Sequence, residues 1–319
     1  MNPLRRNFIK QSSLVTGSFF LFEPLKTLES LSENSRLGRL LNQVAIIHTN
    51  DLHNTIGSLT TGRKNGYGGL KNIAHSLGNT SKPDLLLDAG DFLDESVSPE
   101  QHKEMILYMN RIGYHAVTLG NRELSKGQDY LAGLLPFMKF LIVNCNYSFT
   151  HPQLIEHVHS YSIIRSGKYR IGLTGVGVDL HHIKERAGIT WHHPYDKANS
   201  IAAYLKKQRD CDLVICLSHL GHLQHSGLPH NVEFAKVSEQ IDLIIGGHND
   251  AIMPNLLTVR NNQKREVIIS HCAEGGILLR QINFSFNGMR EKSRVEYKNF
   301  LPGSRSGGSA YAEIREIAG

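Results

Sequence analysis

The feature that most constrains this chain is a rhythm of short apolar runs. They lie at 44–47, 85–87, 116–119, 140–143, 171–176, 213–217 and 241–245. Three to six residues is a strand length, too short for a helix. Several runs lack the in-and-out alternation of a one-sided sheet, so burial on both faces is expected. Helical patterns fall between them. Residues 69–77 place Leu70, Ile73, Ala74 and Leu77 on one face, and 194–208 do the same with Ala198, Ile201, Ala202 and Leu205. The stretch 99–112 follows Ser98 and opens on Pro99, an N-cap and a first-turn proline, with Glu100 beside them. Strands alternating with helices predict an α/β fold.

Five of the runs finish in side chains that bind metals. They end in "HTNDLH", "DAGD", "GNRE", "SHLGH" and "GGHND". Loops at the carboxyl ends of strands in an α/β sheet converge on one crevice, so these groups are expected to meet in space. Each fragment alone also has a plain reading: Asn121 as a helix cap, His219 as a satisfied core histidine, Gly-Asp as a turn. Five in succession are hard to assign to chance. Gly90, Gly120, Gly221, Gly246 and Gly247 stand beside them and permit close backbone approach. Three His, three Asp and one Asn form a mixed donor set suited to two divalent ions, with zinc, manganese and iron all compatible. A closed structural zinc site would be cysteine-rich instead.

In this order, "HTNDLH", "DAGDFLDES", "TLGNRE", "LSHLG" and "IIGGHND" resemble the metallophosphoesterase (calcineurin-like) superfamily, and within it the 5'-nucleotidase branch. The resemblance covers about residues 43–290. It implies a four-layer α/β/β/α sandwich of two packed mixed sheets with a dinuclear site at one edge. Carried over by position, Asp51 and His53 would bind the first metal and Asp91 would bridge. Asn121, His219 and His248 would bind the second. The family's last ligand, usually His or Gln, falls on Asp250. Arg122 and Asn121 would face the substrate phosphate, with Arg122 and Asp91 as the catalytic residues.

Two departures qualify the resemblance. The family reads Gly-Asn-His-Glu, and that histidine contacts the phosphate while an Asp three residues on holds it. Here those positions are Arg122 and Ser125. An arginine keeps its charge and binds phosphate oxygens bidentately, but it donates no proton to a leaving group. Arg122 adds a positive charge and Asp250 a negative one, so the two are expected to compensate each other. The branch also carries a C-terminal nucleoside-recognition domain, whereas residues 291–319 read as a polar tail with a short helix at 310–317. A separate chain bearing that domain is the partner this implies.

The remaining composition narrows the alternatives. The chain has 319 residues and a net charge of +6, which suits anionic small substrates. No basic run with interleaved aromatics points to a nucleic-acid polymer. Residues 1–34 open with "LRRNFIKQSSLVTGSFFLF", which resembles a twin-arginine export signal and is too short and polar to span a membrane. A periplasmic or otherwise exported location follows as an expectation. Cys145, Cys211, Cys216 and Cys272 have no CxxC spacing and are expected as buried free thiols. His181, His182, His192 and His193 lie in a segment expected to be an irregular surface loop. They either line the mouth of the site or serve no chemistry. The function expected is hydrolysis of nucleotides or related phosphate esters. The alternative is a weak or inactive metal-binding subunit that pairs with a separately encoded nucleoside-binding domain. A plain structural α/β protein is the third reading.

Overall fold

The computed structural model describes residues 42–223, 227–249 and 252–304, together with Glu313, Ile314 and Ile317. The export-signal residues 1–34 and Asp250 lie outside the described residues. All seven apolar runs form strands: β1 (Gln43–Thr49), β2 (Leu85–Asp88), β3 (Ala116–Val117), β4 (Leu141–Val143), β8 (Tyr169–Gly177), β10 (Leu213–His219) and β11 (Leu243–Gly246). The other strands are β5 (Tyr147–Phe149), β6 (Val158–His159), β7 (Tyr161–Ser166), β9 (Ile189–Trp191), β12 (Leu257–Arg260), β13 (Glu266–His271), β14 (Leu279–Phe286) and β15 (Lys292–Phe300).

Two large mixed sheets result. One runs β15-β14-β1-β2-β3-β4-β6, the other β12-β13-β11-β10-β8-β7. Parallel pairing dominates the centre of each, and antiparallel pairs close the edges at β1–β14–β15, β12–β13 and β7–β8. The burial pattern shows how the sheets stack. Val44, Ile46, Leu85 and Leu87 of the first sheet pack against Leu173, Leu213, Ile215, Leu217, Leu243 and Ile245 of the second. Their sequence neighbours point the other way. Ile47, Leu86 and Val117 meet helices α1 (Leu70–Gly78), α2 (Pro99–Ile112), α3 (Asn121–Leu124) and α4 (Gln128–Leu134). Val214, Cys216 and Ile244 meet α6 (Pro194–Lys207) and α7 (Asn231–Val237), α5 being the short helix Pro152–His157. Three apolar layers between four layers of backbone make an α/β/β/α sandwich, and strands buried on both faces explain the continuous apolar runs.

Helix α2 starts and stops where its sequence dictates. Ser98 Oγ accepts from Gln101 N–H, Gln101 Oε1 accepts from Ser98 N–H, and Gly113 ends the helix at φ 92°. The four cysteines are free and buried.

The polar tail expected over 291–319 differs from what is found. Residues 292–300 form β15, paired along β14. Ile314 and Ile317 are buried with Cys272, Ile277 and Leu301. An edge strand with one wet face is rich in charged residues and hides in a polar composition. The His-rich segment also holds a strand, β9, antiparallel to β5. Among the described residues, no helix is long and apolar enough to cross a membrane.

Candidate metal centre

The carboxyl ends of β1, β2, β3, β10 and β11 deliver the polar groups to one place. The chain bends sharply to do so. Asp51, His53, Asp91 and His248 all have left-handed backbone, with φ of 51°, 46°, 54° and 84°. Such non-glycine conformations cost about 1–3 kcal/mol each and persist only where the surroundings impose them. Here cross-strand hydrogen bonds do so: Asp51 N–H donates to Gly90 O and His53 N–H to Asp91 O, both at 3.0 Å. Gly120 is required by space. A Cβ there would stand 2.1 Å from Asp91 Oδ1 and 2.7 Å from His219 Nε2.

Two trios of ligand atoms form. Asp51, His53 and Asp91 make one, Asp91, His219 and His248 the other, with the atoms of each within 4.8 Å of one another. Asp91 belongs to both. Asn121 Oδ1 lies 3.1 Å from His248 Nδ1, which places the amide beside the second trio. Six of the seven residues proposed as ligands from the sequence therefore come together, and Asp250 lies outside the described residues.

The donor chemistry fits divalent cations. His219 Nδ1 is 2.8 Å from Ala89 O, so that nitrogen carries the proton and donates to the carbonyl. Its Nε2 is buried and makes no hydrogen bond, although Asp91 Oδ2 is 3.2 Å and Asp51 Oδ1 3.9 Å away. A buried imidazole nitrogen facing two carboxylates calls for a positive charge between them, either a proton on Nε2 or a metal cation in its place. The protonation pattern carries the same message. Burial pushes Asp51 up to about 7 against the opposing pull of His219. Burial pushes His219 down, but the Asp91 and Asp51 carboxylates outweigh it and hold its proton up to about 10. His248 is driven down to about 4 by burial and by His219. The pocket is short of positive charge, and a proton on His219 makes up part of the deficit.

Arg122 turns toward this site. Its backbone N–H donates to Asp91 Oδ1 at 2.9 Å, Nη1 donates to Asp94 Oδ2 at 3.0 Å, and Nε lies 3.5 Å from Asp91 Oδ2. Among the described residues the carboxylates facing the guanidinium are Asp94 and Asp91, and the expected pairing with Asp250 lies outside the described residues. Burial raises Asp94, but the Ser96 hydroxyl and amide and the Arg122 charge outweigh it, leaving the carboxyl below its usual range. Ser125 Oγ donates back to Arg122 O at 2.8 Å and orients nothing in the site.

Two contributors escaped the sequence reading. Glu123 is buried and accepts three backbone N–H groups, from Asp91 at 3.0 Å, Leu93 at 2.9 Å and Gly120 at 2.8 Å. It ties the loop after β2 to the turn after β3. The available signal was a Glu three residues after the Gly120 cap, half of a capping box. Trp191 is the second. It lines a cavity of about 200 Å³ with His181, His182 and His248, while His193 lines an adjoining one. His192 instead meets Ser148 Oγ at 2.8 Å.

Comparison with known proteins accords with this geometry. A 5'-nucleotidase from Naja atra venom is 27% identical over 225 residues, covering 66% of this chain and 42% of the relative. A 5'-nucleotidase of Vibrio cholerae is 27% identical over 223 residues, covering 65% and 40%. The chain thus spans well under half the length of these two relatives. The crystal structure of a 5'-nucleotidase precursor from Thermus thermophilus superimposes with a TM-score of 0.71 at 21% identity, over 82% of this chain and 54% of that one. The family model described as calcineurin-like phosphoesterase matches residues 44–249. This chain belongs to the calcineurin-like phosphoesterase family.

Proposed function

We propose that this protein is an exported, metal-dependent phosphoesterase of the 5'-nucleotidase type, acting on nucleotides or related phosphate esters. The observation that carries the proposal is the sharing of Asp91 by two ligand trios around the unpartnered His219 Nε2. Asp51, His53 and Asp91, with Asp250, would hold one divalent ion. Asp91, Asn121, His219 and His248 would hold the other, with manganese, iron and zinc all chemically suited. Bound there, such ions polarise the phosphoryl oxygens and activate water for in-line attack.

The chain's own residues supply the rest. Arg122 offers a permanent charge and two N–H edges to the phosphate oxygens, and Asp94 holds it in place. Asn121 sits at the start of α3 beside the same position. No group at position 122 can protonate the departing oxygen. General acid help is worth about 10²–10⁴-fold, so esters with acidic leaving groups should be favoured. A metal-binding chain without turnover is the runner-up, favoured by that missing proton donor.

One purified sample separates the two. Elemental analysis should find bound metal, and hydrolysis of p-nitrophenyl phosphate should stop with chelator and return with Mn²⁺. Asp91→Ala should lose both. Undetectable turnover with both sites loaded would refute the phosphoesterase reading. Export rests on Arg5 and Arg6 and is tested by fractionating cells that express the Arg5→Lys/Arg6→Lys double variant.

A further inference from the structure

A cavity of about 200 Å³ opens directly beside His248, a residue of the second trio. Its other walls include Trp191, His181, His182, Leu220 and Leu228. The volume exceeds the ~150 Å³ that accommodates a benzene ring in a protein interior. A second cavity of about 420 Å³ adjoins it and shares Trp191, Leu228 and Pro229, so a ring in the first has room to carry substituents into the second. The indole is held rather than loose. Its Nε1–H donates to Gly177 O at 3.1 Å, and His193 packs edge-on against it. Among the described residues Asp179 is the carboxylate in the wall, and it lies 3.6 Å from His181 Nδ1. Aromatic and aliphatic walls with few polar edges suit a flat ring.

We infer that this cavity is the subsite for an aromatic ring in the alcohol half of the substrate ester, with Trp191 and Leu228 as its specificity-determining walls. The inference rests on the phosphoesterase reading, because His248 is what joins the cavity to the phosphoryl group. It adds to that reading a recognition element within this domain itself. A nucleobase or an aryl group fits the description. A bare sugar phosphate leaves the subsite empty.

The chain contains a single tryptophan, so intrinsic tryptophan fluorescence reports on Trp191 alone. Adenosine, which has no phosphate to hydrolyse, should quench it saturably, and ribose 5-phosphate should not. Leu228→Glu, at an exposed position, should abolish the quenching without changing the melting temperature. In steady-state kinetics, adenosine 5'-monophosphate and ribose 5-phosphate share one type of leaving alcohol and differ in the base. Base stacking is worth about 1–3 kcal/mol, so kcat/KM should favour the nucleotide by roughly 5- to 150-fold. Leu228→Glu should bring that ratio to about one. Absent quenching, or quenching that survives Leu228→Glu, overturns the subsite. A nucleotide preference unchanged in Leu228→Glu overturns it too. Saturable, Leu228-dependent quenching without hydrolysis of either ester would sustain the subsite and sink the phosphoesterase reading. Hydrolysis of both at equal rates with no quenching would do the reverse.

Discussion

Glu123→Gln probes the scaffold of the site without touching a proposed ligand. The wild-type carboxylate is buried, and its two oxygens accept three backbone N–H groups, two on Oε2 and one on Oε1. Glutamine keeps one oxygen and turns the other into an NH₂. Either orientation loses at least one hydrogen bond and sets two donors face to face. Burial and the Asp91 charge raise the Glu123 carboxyl to about 8, so a lost hydrogen bond is taken at about 0.5–1.5 kcal/mol and each unsatisfied buried donor at about 1–3 kcal/mol. A loss of about 3 kcal/mol is the expectation. At the low end of the ~2–4 °C per kcal/mol seen for larger domains, the melting temperature should fall by about 6 °C. The effect must reach the metals as well, because the same carboxylate fixes the backbone of Asp91 and Gly120. Removal of a group that orients ligands typically costs about 10–100-fold in metal affinity. Thermal melts with and without Mn²⁺, together with calorimetric Mn²⁺ titration, measure both effects. A variant that melts within 1 °C of wild type (roughly the scatter of the ~2–4 °C per kcal/mol scale) and binds Mn²⁺ equally well would refute the positioning role.

Three further outcomes are expected. Arg122→His combined with Ser125→Asp, one helical turn apart, should restore a proton donor and raise turnover of alkyl phosphates by about 10²–10⁴-fold, with a smaller gain for p-nitrophenyl phosphate; equal gains for both would contradict the missing-acid argument. Gly120→Ala drives a methyl into Asp91 Oδ1 and His219 Nε2, so Mn²⁺ affinity should fall at least about tenfold while far-ultraviolet circular dichroism stays native. Burial lowers His271 to about 4 from an ordinary value near 6.5. A depressed histidine contributes stability that is complete above the unfolded value and is lost as pH falls through the folded one. Wild type should therefore lose about 3 kcal/mol more than His271→Gln between pH 6.5 and 4, measured by urea denaturation, and parallel pH profiles would count against it.

The parts of the fold that were legible share a physical cause. β2, β10 and β11 are buried on both faces, so their sequences are unbroken apolar runs, and the helix at Pro99–Ile112 carries its start signal in Ser98 and Pro99. β14 and β15 lacked such a mark. In β14 the fully buried Arg280 interrupts the apolar pattern, and its cost is met by donation to Asn299 Oδ1, Ser270 Oγ and Met253 O. No residue-type rule announces an arginine that belongs inside. β15 is an edge strand whose two lysines, Arg294 and Glu296 give it a surface composition although it pairs along β14. The site divides the same way. The ligand trios were readable because each member ends a buried run. Glu123 was not, because its work is to accept backbone N–H groups that leave no trace in side-chain identity. Trp191 was not, because it reaches the site from the short strand β9, outside every motif block.

Arg122 shows why a substitution inside a motif need not disable the motif. Its guanidinium lies between Asp91 and Asp94, so the pocket gains a charge that no change of pH near neutrality removes, and Asp94 balances that charge locally. An imidazole at this position would carry a proton it could release, while a guanidinium keeps its own. On the proposed function, arginine at this position trades proton transfer for fixed charge, while Asp51, His53, Asp91, His219 and His248 still come together. Such a site selects, on the proposed function, for esters whose alcohol departs without a proton. A ring conjugated to the departing oxygen lowers that oxygen's basicity, and a ring is what the cavity beside His248 is shaped to receive. On the proposed function, the arginine at 122 and the walls formed by Trp191 and Leu228 make two separable demands: an acidic leaving oxygen relieves the missing acid and a ring fills the cavity, so aryl phosphates gain from both and nucleotides from the second alone.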